Sequence, residues 1–109
     1  AIGNPADGIY ALQTLAESGG SACAVPEDEI ADGTELLAKT EGIFTEMAGG
    51  VVISGLRRMV QSGKIKRNDV TVAFITGNGL KTQEAVERVV NPLRIRPTLS
   101  EFEKAIAGR

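Results

Sequence analysis

Apolar residues recur at helical spacing from Asp7 to Ser18, through Ile9, Leu12, Leu15 and Ala16, and the stretch ends in Gly19-Gly20. Glycine tolerates the left-handed backbone that closes many helices, so this pattern predicts a first helix with a marked end. Ser21–Val25 is short and made of small side chains, which predicts a strand. Pro26 then precedes Glu27, Asp28 and Glu29. Proline suits the first helical position, and acids suit the first turn, where the peptide dipoles present positive charge. Ile30, Leu36 and Leu37 carry this second helix to about Thr40.

Thr45 stands where it can cap a third helix, whose buried face is drawn by Val52, Leu56, Met59 and Val60 and whose end is marked by Gly63. Arg57 and Arg58 lie in its C-terminal half, where positive charge is favoured, and are read as solvated. Val70–Ile75 is nearly continuous in apolar and β-branched residues, as expected of a parallel strand covered on both faces by helices. It breaks off at Thr76-Gly77-Asn78-Gly79, after which Leu80–Val90 resumes helical spacing through Val86, Val89 and Val90. Leu93–Arg96 suggests another short strand. Thr98 with Glu101 fits a capping box opening a last helix lined by Leu99, Phe102 and Ile106.

Helical and extended patterns thus alternate, which is the signature of an α/β fold. Two or three short strands are few for a self-sufficient sheet, so an exposed sheet edge is expected. The length of 109 residues suits one unit. The chain opens at Ala1 in what reads as structured loop, which leads us to expect further chain upstream.

Charge narrows the function. Twelve basic residues against fourteen acidic ones give a net charge of −2 without a basic block, which argues against nucleic acid as a partner. The apolar runs fall far short of the roughly 20 residues of a membrane helix, and no secretory or lipidation signal is visible, so a soluble, cytoplasmic protein is expected. With no histidine and a single cysteine, a His-based acid/base, a Cys–His pair, a zinc site and an internal disulfide are all excluded, and no metal is expected. Cys23 reads as a packed strand thiol.

Three stretches look site-like. Thr76–Gly79 lies at the carboxyl end of the expected strand, where ligands bind in open α/β sheets, although a tight turn explains its glycines equally well. Lys81 just beyond it reads as solvated. Glu41–Gly50 packs three glycines and two acids around a helix start. An interior helical glycine costs roughly 1 kcal/mol relative to alanine, so Gly49 and Gly50 imply close approach by a ligand or, as we favour, by a packed strand. Glu46 has a structural explanation in the helix dipole. Gly3-Asn4-Pro5-Ala6 is either an ordinary turn or a ligand-facing loop.

Taken jointly, Gly3–Ala6, Thr40–Gly50 and Ile75–Lys81 resemble, in order and interval, the C-terminal part of the threonine synthase family of tryptophan-synthase-β-like pyridoxal-phosphate enzymes. The resemblance covers nearly all of the chain but only about the last third of such an enzyme. It implies an open sheet with flanking helices of fold type II, a homodimeric parent, pyridoxal 5'-phosphate as cofactor, and conversion of O-phosphohomoserine and water to threonine and phosphate.

Carried over in the same way, Thr76 would meet the pyridine nitrogen and Gly77 and Asn78 would shape the loop behind it. Gly3, Asn4, Pro5 and Ala6 would pass beside the ring, and Glu46 would act on it as an orienting or electrostatic group. The Schiff-base lysine and the phosphate-cup loop belong to earlier segments of the family. Lys39, Lys64, Lys66, Lys81 and Lys104 do not match that lysine's motif, so residues 1–109 alone are expected to be inactive. Two alternatives stay open. One is a threonine or serine dehydratase on the same scaffold, and the other is a non-catalytic α/β module that binds a phosphate-bearing small molecule or a protein at Gly77–Gly79.

Overall fold

The computed structural model of the chain describes residues 3–86 and 93–107. Helix α1, Gly8–Ser18, ends at Gly19 with φ 63°, and the amides of Gly19 and Gly20 both donate to the Leu15 carbonyl. Helix α2, Glu27–Glu41, closes in the same way on Gly42 with φ 69°. Pro26 sits one place before the first helical residue, in extended conformation, so it stops the preceding segment and does not open the helix from within. Helix α3 spans Met47–Gln61, and α4 spans Leu99–Ala107. At the start of α4 the Glu101 amide donates to Thr98 Oγ1 at 3.4 Å, while the Glu101 carboxylate turns to Lys104 at 3.3 Å. That is one half of the expected capping box.

Beyond Asn78 the expected long helix is replaced by two short 3-10 turns, Gly79–Lys81 and Gln83–Val86. The backbone of Thr82, at φ −137° and ψ 54°, breaks the helical run between them. The remainder of that expected helix, with Val89 and Val90, lies outside the described residues.

The expected open sheet is not found among the described residues: there is no strand, and one antiparallel bridge joins Thr45 to Asn78. Ser21–Val25, Val70–Ile75 and Leu93–Arg96 run without strand partners. Val70, Val72 and Phe74 are 97, 74 and 79% exposed, so the run read as a strand covered on both faces is uncovered. The cause is that a strand exists only with a partner backbone. The two longer segments flank one apolar groove of about 340 Å³ floored by Leu56 and Met59 of α3, with Val25 on one side and Val72 on the other.

What does pack is the pair α2 and α3. Their contact is made of small residues. A side chain on Gly33 would strike the Gly50 carbonyl and Ser54, and one on Gly50 would strike Thr34 Oγ1 and the Ile30 carbonyl. The Ser54 hydroxyl donates to the Glu29 carbonyl at 2.6 Å. The most buried positions of α3 are therefore Gly49, Gly50 and Ser54, with Val52, Leu56 and Met59 half-buried and Val60 exposed, so the helix's buried face lies to one side of the one its apolar residues drew. The glycines do serve close packing, and the partner is a helix instead of a strand.

Arg58, expected to be solvated, continues the stripe of Gly50 and Ser54 and bonds Glu29 at 2.6 Å. The hydrogen bond to Glu29, and then its charge, hold the guanidinium above its ordinary value, a favourable interaction that needs both the protonated guanidinium and the ionised carboxylate. Cys23 is exposed, with Sγ 3.7 Å from the Gly55 carbonyl, and so is not the packed thiol the sequence suggested.

Leu37 is the one large hydrophobic side chain buried among the described residues. The accessible surface is 8924 Å², about 3,100 Å² more than the roughly 5,800 Å² of a folded monomer of this mass. The radius of gyration is 18.4 Å, against about 13 Å for a compact domain of this length. Residues 1–109 in isolation are therefore expected to lack a single cooperative unfolding transition. Calorimetry checks this: a heat uptake approaching the roughly 60–80 kcal/mol of a self-contained hundred-residue domain would refute it.

Candidate functional site

Two segments 32 residues apart in sequence meet at the start of α3. On one side, Phe44–Met47 leads into the helix. On the other, Thr76–Thr82 leaves the second extended segment. The Thr45 hydroxyl, on a residue only 1% exposed, donates to the Gly77 carbonyl at 3.2 Å, and the Glu46 amide reaches the same oxygen at 3.4 Å. The Gly79 amide donates to the Phe44 carbonyl at 3.1 Å, and the Met47 amide to Thr82 Oγ1 at 3.3 Å. That last bond supplies a partner for one of the amides that every helix start leaves unpaired. Asn78 turns its own side chain back to accept from the Leu80 amide at 2.9 Å.

Glycine at 77 is required twice. Its φ of 75° lies in the left-handed region, and the Glu46 carboxylate occupies the space that a side chain there would need. Gly79 is likewise covered by the Phe44 ring. Both glycines admit side chains from the start of α3, the close approach that the sequence signalled without naming the partner.

Of the residues expected to form a site, Glu46, Gly77 and Asn78 are thus brought together, with Thr76 exposed beside them. The half-buried Glu46 occupies the N-cap position of α3 without capping it through its side chain. Its carboxylate faces Lys81 at 3.3 Å, an ion pair that Lys81 makes while its side chain stays largely exposed, as expected. Gly3, Asn4, Pro5 and Ala6 are exposed, and the Pro5 carbonyl accepts from the nearby Gly8 amide at 3.2 Å. Among the described residues nothing brings them to the junction, and α1 has no extensive packing partner there to carry them to it.

Thr45, Phe44, Lys81 and Thr82 were not singled out by sequence as members of this site. Thr45, placed by sequence where it can cap the helix, instead turns its hydroxyl across to the loop. A cavity of about 720 Å³ elsewhere, lined by Glu29, Asp32, Ser54, Arg57, Arg58 and Lys64 among others, contains none of the expected site residues. Its Glu29 and Arg58 already satisfy each other, so the junction remains the candidate site.

Comparison with known proteins bears on what this junction serves. The family described as pyridoxal-phosphate dependent enzyme matches residues 1–77. Threonine synthase of Halalkalibacterium halodurans is 46% identical over 80 residues, covering 73% of this chain and 23% of that protein. Threonine synthase of Methanocaldococcus jannaschii is 37% identical over 106 residues, with coverage of 96% and 26%. That of Methanosarcina acetivorans is 36% identical over 109 residues, with coverage of 99% and 27%. The chain spans about a quarter of the length of these relatives. On the family match, which takes in α1, α2, α3 and the loop as far as Gly77, the chain belongs to the pyridoxal-phosphate-dependent enzymes.

Proposed function

We propose that the chain is the C-terminal part of a threonine synthase, a lyase-type enzyme that converts O-phosphohomoserine and water to threonine and phosphate, and that it acts only when joined to the rest of that enzyme. The observation that carries the reading is the meeting of Glu46 with Gly77 and Asn78 beside an exposed Thr76, in a chain whose relatives are threonine synthases. The uncovered surface, larger than one partner's share of a standard protein interface at about 800 Å², supports the division into a part and its remainder.

Pyridoxal phosphate is the cofactor of the family. When bound it supplies an electron sink for an amino-acid substrate. The residues present fit one edge of that group: a hydroxyl at Thr76, followed by a glycine whose left-handed turn lets the backbone stand close to a planar ring. Thr76 would meet the pyridine nitrogen. A neutral hydroxyl there does not force the nitrogen to carry a proton, as a carboxylate would. Gly77 and Asn78 would back the ring edge. Glu46, fixed between Gly77 and Lys81, would present negative charge near it. Gly3–Ala6 would join only in the assembled enzyme. The remainder would contribute the lysine that carries the cofactor and the loop that holds its phosphate, and we place the whole as a cytoplasmic homodimer.

The test is to assay phosphate release from O-phosphohomoserine by the chain in its full-length context and by residues 1–109 alone. Release by the former only is expected. No release from a full-length chain with an intact lysine and phosphate loop sinks the reading, and ammonia with a keto acid formed from threonine instead assigns a dehydratase.

A further inference from the structure

We propose that Thr45 is a positioning residue for the loop Thr76–Gly79, its buried hydroxyl fixing the direction of that loop by holding the Gly77 carbonyl. The inference rests on reading this loop as the edge that meets the cofactor, and it adds a residue that the reading does not contain.

The side chain of Thr45 has one seat. Its hydroxyl and methyl both crowd Gly49, where a side chain would collide with each of them. Glycine at that place in the first turn of α3 is what admits a β-branched residue. Such a residue is stiff about its first torsion, so with its Cβ wedged against α3 the direction of the hydroxyl is set. It points to the Gly77 carbonyl at 3.2 Å, and with 1% of the residue exposed water offers little competition. The hydroxyl does not serve the helix: the N-cap of α3 is Glu46, and the first amide of the helix, that of Met47, is taken by Thr82.

Around Asn78 the chain is gripped at two points from the same short stretch. The Gly77 carbonyl is held by Thr45 and Glu46, and the Gly79 amide by Phe44. Of these holds, the Thr45 hydroxyl is the one that a side-chain substitution removes without disturbing backbone bonds. Thr76 is the residue immediately before the gripped carbonyl, so the stance of its hydroxyl depends on how firmly Gly77 is kept in its left-handed turn.

Thr45→Val keeps the shape and removes the donor, whereas Thr45→Ser keeps the donor and removes the methyl. Both are made in the full-length enzyme that carries this segment and followed in three ways. These are amide exchange across Gly77–Leu80 in the cofactor-free protein, the absorption band of bound pyridoxal phosphate, and kcat and KM. The valine variant is expected to exchange about fivefold faster in this loop, the factor for losing one hydrogen bond of about 1 kcal/mol. Its cofactor band should shift, and kcat should fall about fivefold with KM little changed, because the affected group faces the cofactor and not the substrate. The serine variant should resemble the parent in all three.

Parental exchange and absorption in the valine variant would overturn the proposal. So would loss of both in the serine variant, which would assign Thr45 to packing through its methyl. Should the valine variant not fold, the serine variant decides by itself: a parental band and parental exchange uphold the hydroxyl's role, and their loss overturns it. If the unaltered enzyme neither binds pyridoxal phosphate nor releases phosphate, the proposed function fails separately, and exchange in the cofactor-free protein still tests Thr45's hold on the loop.

Discussion

Gly50→Ala is expected to weaken the α2–α3 pair by about 2 kcal/mol, while Gly55→Ala, five residues further along the same helix, is expected to strengthen it by about 1 kcal/mol. Both changes give α3 a better helix former, and in an unpartnered helix both would stabilise by the same amount. The difference lies in what each new methyl meets. At Gly55 the nearest atoms would be Cys23 Sγ at 3.5 Å and Val25 Cγ2 at 3.7 Å, ordinary contacts that leave the propensity gain intact. At Gly50 the methyl would stand 2.5 Å from the Ile30 carbonyl, with Thr34 Oγ1 also in the way.

A flexible side chain can move aside, but the Ile30 carbonyl belongs to the backbone of α2, so the helices themselves must separate. Overpacking of this kind costs about 1–3 kcal/mol. Separation also strains the Ser54–Glu29 bond, worth about 1 kcal/mol. Against these stands the helix-propensity gain of about 1 kcal/mol, which does not suffice. The helical circular dichroism of the chain across a urea titration reads the outcome: the Gly50 variant should lose signal at lower urea than the parent and the Gly55 variant at higher. Shifts of the same sign in both variants would show that the close crossing does not decide the stability of the pair.

The same contact shows how far the sequence could be read. Helices were legible because their signals are local: Gly19 and Gly42 close α1 and α2, and the acids Glu27–Glu29 open α2. The face of α3 was not, because apolar spacing points to Val52, Leu56 and Met59, whereas the partner found among the described residues lies against Gly50 and Ser54. Nothing in the spacing of one helix says which of its two faces finds a neighbour. The strands failed for a related reason. Val70–Ile75 carries the composition of a buried strand, but pairing is a property of two segments, and its side chains from Val70 to Phe74 are exposed here.

At the candidate site the glycines of Thr76–Gly79 announced a close approach. What approaches is Phe44 and Glu46, more than thirty residues earlier. Thr45 was noticed for the wrong partner, since a threonine before a helix reads as a cap unless the loop across from it is known. Gly3–Ala6 is legible only by resemblance, and no extensive packing of α1 among the described residues would carry it to the junction.

Replacing Gly77 is expected to have the largest effect on function. Gly77→Ala meets two separate obstacles, and a double-mutant cycle can separate them. The first is conformational: at φ 75° an alanine pays about 1–2 kcal/mol for the left-handed backbone. The second is steric, because the Glu46 carboxylate fills the place of the new methyl. That carboxylate sits at the end of a flexible side chain, so it can swing away, but only by leaving Lys81 and the loop.

In the full-length enzyme the first obstacle alone lowers the fraction of loops in the working shape about tenfold, taking about 1.4 kcal/mol for the strain. The second adds to it by moving the Glu46 carboxylate off its place against Gly77. With Glu46→Ala already present, Gly77→Ala should therefore lose only the conformational share in kcat/KM, and the two changes should fall short of additivity. Strict additivity would mean that Glu46 does not touch Gly77 in the working enzyme, and the candidate site would lose the contact that brings those two residues together.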